Sequence, residues 1–243
     1  MNYMVSEKSL EMNVNENLVN SIRQFGGSFA SAFIYGFTLR EEARHGFDSS
    51  INLPGTTKFL FSLQYKKPVS VNGGSKYRFE INNNKERDQH ISLWMYSHPY
   101  GNIWYAFPLL IYTSELSRQS PYFLDRTCFV NVRDFPSRTL DRNVHIVEID
   151  SQTYTAYVFS NEKTSLKIYV GEEFIKKIKD EVKPVAINEI KDKEKTLSLE
   201  DIYEEMRKFG ISEEVIRHVK EGKFKHRFTS GFFTDVHNSE TSH

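Results

Sequence analysis

Three polar residues in the first third of the chain have side chains that could bind a metal ion and assist hydrolysis. Asp48 supplies a carboxylate, Gln64 an amide carbonyl oxygen and Lys66 a cationic amine. Because side chains at positions i and i+2 of a strand project from the same face, Gln64 and Lys66 would point together, with Asp48 on a neighbouring strand. Mg²⁺ binds oxygen ligands and keeps several waters, so few protein groups are needed. The spacing therefore predicts a site for a hard cation with a lysine beside it.

A short acidic helix is predicted immediately before Asp48. Thr38 and Glu41 have the spacing of a capping box, and Gly46 suits the position just past a helix end. Glu41 and Glu42 are therefore candidate metal ligands from this helix. Acids in a first helical turn also stabilise the helix dipole, and one side chain can serve both purposes.

Two strands and a second helix would position the remaining groups. Residues 47–53 and 58–66 are apolar enough for strands, and the Pro54-Gly55 pair between them predicts a turn. A helix is predicted over residues 85–97, followed by a buried strand within residues 102–112. Two polar side chains near the start of that helix are accessory candidates, namely Gln89 and His90.

Histidines are more often hydrogen-bonded structural residues than ligands or bases. This holds for His90, whose candidacy rests on its position alone. His145 begins an alternating strand predicted over residues 144–149, and we expect it on the solvated face. Cys128 lies in an apolar strand and is expected to be a small buried hydrophobic residue.

The chain resembles the PD-(D/E)XK restriction-endonuclease-like superfamily, in the branch with Gln in the place of the second acid. The resemblance is carried by the helix acid Glu41 or Glu42, by Gly46-Phe47-Asp48 and by Gln64-Tyr65-Lys66. It covers residues 15–112, and residues 47–112 are also similar to an uncharacterised family of bacterial and prophage proteins. Phe47 replaces a proline that supplies no ligand, and Gln64 replaces an acid, which removes one negative charge from the site.

The resemblance implies an α/β (α+β) fold with a mixed central sheet flanked by helices. It implies that Mg²⁺ or Mn²⁺ is held by Asp48, by Gln64 and by Glu41 or Glu42, with Lys66 assisting attack on a phosphodiester. Gln89 or His90 matches a slot that often completes the site. It further implies a nucleic-acid substrate, DNA before RNA, a possible homodimer, and a setting in bacterial defence or a mobile element.

Composition narrows the protein class without naming a substrate. The chain has 243 residues, 39% hydrophobic and 26% charged, with 32 basic and 32 acidic residues and a formal net charge of +0. Neutrality excludes a global field that would draw the chain to nucleic acid. The first residues lack the pattern of a signal peptide, no apolar run is long enough to span a membrane, and a single cysteine cannot form an internal disulfide. These features predict a cytoplasmic protein with no membrane partner.

The sequence divides into three parts. Residues 1–183 form the predicted α/β domain, in which residues 1–13 are expected to be loose and the first helix to begin at Asn15. Residues 184–197 form a charged linker, and residues 198–243 a helical hairpin with a polar tail. The hairpin, within residues 198–222, could bind a protein partner.

Two functions remain open at this stage. The first is a metal-dependent nuclease with Asp48, Gln64, Lys66 and Glu42 as catalytic residues. The second is a catalytically inactive sensor or adaptor that keeps the nuclease fold and acts through protein–protein contacts, which the neutral charge and Gln64 both favour.

Overall fold

The computed structural model is a mixed α/β protein, as predicted, and it describes residues 3–37, 47–54, 59–82, 88–100, 102–181 and 199–221. The helices in these residues are α1 (Glu7–Arg23), α2 (Gln89–Tyr100), α3 (Thr113–Gln119), α4 (Gly171–Glu181), α5 (Leu199–Lys208) and α6 (Glu213–Lys220). The strands are β1 (Phe33–Gly36), β2 (Ser49–Asn52), β3 (Phe59–Tyr65), β4 (Ser70–Asn72), β5 (Lys76–Ile81), β6 (Ile103–Pro108), β7 (Thr127–Asn131), β8 (His145–Asp150), β9 (Thr155–Phe159), β10 (Lys163–Leu166) and β11 (Tyr169–Val170).

The larger sheet has six strands in the order β1-β2-β3-β6-β7-β11. Its neighbouring strands are antiparallel except for β3 and β6, which run parallel with Gln64 opposite Tyr105. Parallel strands require a crossover connection, and this one contains β4, β5 and α2. The crossover brings the beginning of α2 to the C-terminal end of β3, where Gln89 contacts Lys66.

The second sheet has five antiparallel strands in the order β10-β9-β8-β5-β4. In β8, buried and partly buried residues alternate, and His145 lies on the buried side with Val147 and Ile149. The expectation that His145 faces solvent is therefore wrong. Its Nε2 lies 2.8 Å from Asp141 Oδ1, which gives the buried ring a polar partner.

Hydrophobic side chains form a core on each face of the larger sheet. Strand β6 is buried along its whole length, as predicted for this apolar stretch. Tyr105 and Phe107 belong to the cluster shared with the second sheet and α2, whereas Trp104 and Ala106 belong to the cluster under α1 and α4. Burial on both faces explains why the stretch is apolar without alternation.

Helix α1 begins eight residues before the predicted start. Ser6 caps it by accepting a hydrogen bond from the Ser9 N–H at 3.0 Å, and Leu10 and Val14 are buried in the core. Residues 7–13 are therefore helical, and the expectation of a loose segment there is wrong. The i, i+4 repeat of apolar residues extends further toward the N-terminus than the polar composition suggests.

The two C-terminal helices are present as predicted, and they pack on the rest of the chain. Their buried side chains, which include Met206 and Ile216, share the core cluster with α2. Phe209 lies 5.1 Å from the ring of Trp94, and Arg133 lies 4.4 Å from the same ring and 3.2 Å from Glu205. The predicted linker at 184–197 and the tail beyond 221 lie outside the described residues.

Over the residues that the structure describes, none of the helices combines the length and the apolar character needed to cross a membrane.

Candidate functional site

Asp48 lies immediately before β2 and is fixed there by the backbone of β3. Its N–H donates to Leu63 O at 2.9 Å. Its Oδ2 accepts from the Tyr65 N–H at 2.7 Å and from Gln64 Nε2 at 2.9 Å. The structure thus brings together the carboxylate and the amide that the sequence analysis placed at one site.

The orientation of the Gln64 amide is determined by its surroundings. Nε2 donates both to Asp48 Oδ2 and to Tyr65 O, at 2.9 and 3.0 Å, and the reverse orientation would set Oε1 against two acceptors. The carbonyl Oε1 is buried and has no hydrogen-bond partner among the described residues. A buried acceptor without a donor is destabilising, and a cation or a hydrogen-bond donor at Oε1 would remove that penalty.

Lys66 shares the face of β3 with Gln64 and is 5% exposed. Its backbone N–H donates to Ala106 O at 3.0 Å and so extends the hydrogen bonding between β3 and β6 by one residue. Its Nζ donates to Oε1 of Gln89, the first residue of α2, at 2.5 Å. Of the two accessory candidates, Gln89 therefore contacts the site directly and orients the lysine.

His90 is fully buried and both of its ring nitrogens are engaged away from the site. Nδ1 lies 3.1 Å from Tyr105 Oη, and Nε2 lies 3.0 Å from Thr139 Oγ1. Because Thr139 donates its proton to Pro136 O, Nε2 carries the ring hydrogen and Nδ1 accepts from Tyr105. Burial lowers the pKa of His90 to about 3, so the ring is neutral and its described role is to join α2 to the residues before β8.

The predicted helix acids, Glu41 and Glu42, lie outside the described residues. Two other acids, Glu7 and Glu11 of α1, act on Asp48 instead, since their charges contribute to raising its pKa. Glu7 Oε2 accepts from the Lys67 N–H at 3.1 Å, beside the end of β3. Glu11 is buried and lies 2.9 Å from Lys8 Nζ.

Sequence reasoning missed these two acids because the segment was assigned no helix. Glu7 and Glu11 are four residues apart, a spacing that places two side chains on the same side of a helix. This spacing could have indicated that both acids lie on one helix face.

The surroundings of Asp48 disfavour the ionised form of its carboxyl. Burial, the largest effect, raises the pKa of the carboxyl well above its ordinary value of 3.8, and the Tyr65 N–H bond opposes this rise. The charge of Glu7 raises the pKa further, Lys66 lowers it, and Glu11 raises it. A bound cation would favour the ionised form.

We expect Asp48→Asn to stabilise the metal-free protein at pH 7 by about 1–2 kcal/mol, as often occurs when a strained functional group is replaced. The folded pKa of Asp48 is raised above the unfolded value. The contribution of Asp48 to stability is therefore fully present below pH 3.8 and is lost as the pH rises through the folded pKa. Urea unfolding in EDTA at a series of pH values should show this loss in the wild type and not in Asp48→Asn.

The control for this experiment is Asp150→Asn, which changes the same group at the end of β8 in the second sheet. We expect this variant to be no more stable than the wild type at pH 7. A destabilised Asp48→Asn variant at pH 7 would contradict the expected result.

The polar groups that the structure describes fit a hard cation in part. Asp48 supplies a carboxylate, and Gln64 supplies a buried carbonyl oxygen without a donor. Within the described ranges, no group of three or more His, Cys, Asp or Glu side chains is arranged to hold a metal ion. The amide oxygen of Gln64 is thus a candidate ligand beside the Asp48 carboxylate.

Comparison with known proteins adds no relative: no family model, no curated protein and no solved structure matches the chain. Function is therefore inferred from the contacts of the residues themselves.

Proposed function

We propose that this chain is a metal-dependent nuclease that hydrolyses phosphodiester bonds of nucleic acid, with DNA as the first substrate to test and RNA as the second. One observation carries the proposal. Asp48, Gln64 and Lys66 converge at the C-terminal end of β3, and the buried Gln64 Oε1 faces no hydrogen-bond donor in the described part of the chain. A carboxylate, an unsatisfied carbonyl oxygen and a buried lysine form the minimum set for a cation and a phosphate.

In this proposal Asp48 and Gln64 Oε1 hold Mg²⁺ or Mn²⁺, with an acid from a helix as a further ligand. That acid comes from Glu41 or Glu42, as the sequence predicts, or from Glu7, which lies beside the end of β3. When bound, the ion supplies positive charge that polarises the phosphate and lowers the pKa of a water molecule.

Lys66 supplies the second positive charge. Its Nζ is enclosed by protein and held by Gln89, so little reorganisation is needed when negative charge develops on a phosphate oxygen. Gln89 cannot accept or release a proton at neutral pH. It therefore orients the amine, and Lys66 places a positive charge on the substrate from this side of the site.

The proposal is tested by cleavage assays on single- and double-stranded DNA and RNA, with Mg²⁺ and Mn²⁺ added to EDTA-treated protein. We expect cleavage that depends on the ion and falls to background in Asp48→Asn. The matched control, Asp150→Asn, should retain the wild-type rate. Background cleavage by the wild type on every substrate and with both ions would contradict the nuclease proposal.

A catalytically inactive sensor or adaptor is the second candidate function, and one observation favours it. Both N–H groups of the Gln64 amide are hydrogen-bonded within the protein, to the Asp48 carboxylate and to the Tyr65 carbonyl. Asp48 and Gln64 are therefore held together without an ion. The apolar faces of α5 and α6 are buried against α2, which leaves their polar faces for a partner. Either function suits a setting in bacterial defence or a mobile element.

A further inference from the structure

A buried hydrogen-bonded bridge connects α1 to the two strands that carry the candidate site. Asn15, which is 3% exposed, donates from Nδ2 to Ser49 Oγ at 3.0 Å. Its Oδ1 accepts from Tyr65 Oη at 2.9 Å, and Tyr65 is fully buried. The three groups satisfy one another inside an otherwise apolar cluster.

Two residues of the bridge are sequence neighbours of the candidate site residues. Ser49 follows Asp48, and Tyr65 lies between Gln64 and Lys66. Tyr65 also donates its N–H to Asp48 Oδ2 at 2.7 Å. Asn15 is thus hydrogen-bonded to Ser49, next to Asp48, and to Tyr65, between Gln64 and Lys66. The side chains of Ser49 and Tyr65 are not part of the candidate site.

On α1, the residues four and eight positions before Asn15 are Glu11 and Glu7, which places all three on one side of the helix. Glu7 Oε2 accepts from the N–H of Lys67 at 3.1 Å, one residue beyond Lys66 at the end of β3. A buried polar bridge has defined lengths and directions, whereas apolar contacts permit a helix to slide or rotate. The bridge therefore fixes the register of the acidic side of α1 against β2 and β3.

We propose that Asn15 and Tyr65 are positioning residues that hold Glu7 of α1 at the end of β3, so that α1 contributes negative charge to the cation site. This inference rests on the proposed function, because it assigns Glu7 to the same ion. Glu7 then supplies a negative charge that the neutral Gln64 amide does not provide.

The test compares Tyr65→Phe and Asn15→Ala with Ser50→Ala. Tyr65→Phe removes one hydroxyl and keeps the packed ring, so a folded variant is expected even if Asn15→Ala fails to fold. Ser50 is the matched control, since its buried hydroxyl lies 2.7 Å from that of Ser62 and joins β2 to β3 without touching α1. Two quantities are measured: amide hydrogen exchange of residues 7–13 in EDTA, and the Mn²⁺ concentration that gives half-maximal thermal stabilisation.

We expect Tyr65→Phe to accelerate exchange in residues 7–13 and to raise the Mn²⁺ midpoint roughly 10-fold, the size of effect seen when groups behind a metal ligand are removed. Ser50→Ala should change neither quantity. Unchanged exchange in Tyr65→Phe, or faster exchange with an unchanged Mn²⁺ midpoint, would overturn the positioning role while leaving the proposed function intact. A wild type that Mn²⁺ does not stabilise would overturn both, and only that outcome contradicts the metal site itself.

Discussion

Replacing Lys66 with methionine is expected to lower the rate of metal-dependent cleavage by about 100- to 10,000-fold, the range for loss of a group that acts in the transition state. Methionine has a similar length and is tolerated in apolar surroundings. The charge and the bond to Gln89 are lost, and we expect the unfolding free energy to fall by about 1–2 kcal/mol. Single-turnover cleavage and urea unfolding of the same preparations measure the two effects.

Lys67→Met is the matched control, because it removes the same charge one position along the chain. The Lys67 side chain is exposed, and its described contact with Glu7 uses the backbone N–H, which the substitution keeps. We expect this variant to cleave within about threefold of the wild type, since surface charges contribute little to a local site. Equal losses in both variants would show that bulk charge, and not the buried position of Lys66, supports cleavage.

The parts of the fold that sequence predicts well are those that burial alone determines. Strand β6 is apolar on both faces because it lies inside the larger sheet with a core on either side. The amphipathic α4 was predicted over residues 171–182 and ends at Glu181. In each case the local pattern and the tertiary environment agree, so the environment can be read from the pattern.

The predictions that failed concern polar residues that the fold buries together with hydrogen-bonding partners. Residues 1–13 were expected to be loose, yet Glu11 is buried in α1, and Asn15 bonds to residues 34 and 50 positions later. His145 shares the face of Val147 and Ile149, so the period of the strand predicted its burial, and its polarity suggested the opposite. The partner that permits this burial, Asp141, lies only four residues earlier in the chain, but its contact with His145 depends on the path of the loop before β8.

The candidate site also combines features that local sequence predicts with features that only tertiary packing determines. Gln64 and Lys66 were expected on one face of β3, because alternation within a strand is local geometry. Other features depend on how distant elements pack. They are the hydrogen bond from the Tyr65 N–H to Asp48 and the position of Glu7 of α1 at the end of β3. Sequence therefore identified the residues of the strand pair, and only tertiary structure could identify the helix that accompanies them.

Gln64→Glu should alter the site more than any other conservative substitution, because it restores the charge that the amide lacks. In the metal-free protein the new carboxylate would lie where Nε2 now meets Asp48 Oδ2 at 2.9 Å. Two buried carboxylates at that distance repel, and we expect the unfolding free energy at pH 7 in EDTA to fall by about 1–3 kcal/mol. With Mn²⁺ present the same two groups share a cation, and the Mn²⁺ midpoint should fall roughly 10-fold, or about 1.4 kcal/mol.

Gln89→Glu makes the identical chemical change on the other side of the site and serves as the control. Its carboxylate would face Lys66 Nζ in place of the present amide oxygen, so the new charge meets a cation and not an acid. We expect no loss of stability in EDTA and no gain in Mn²⁺ affinity, since the group is directed at Lys66. If Gln64→Glu is as stable as the wild type in EDTA and binds Mn²⁺ no better, Gln64 does not face an ion-binding position, and the adaptor function becomes the better explanation of this geometry.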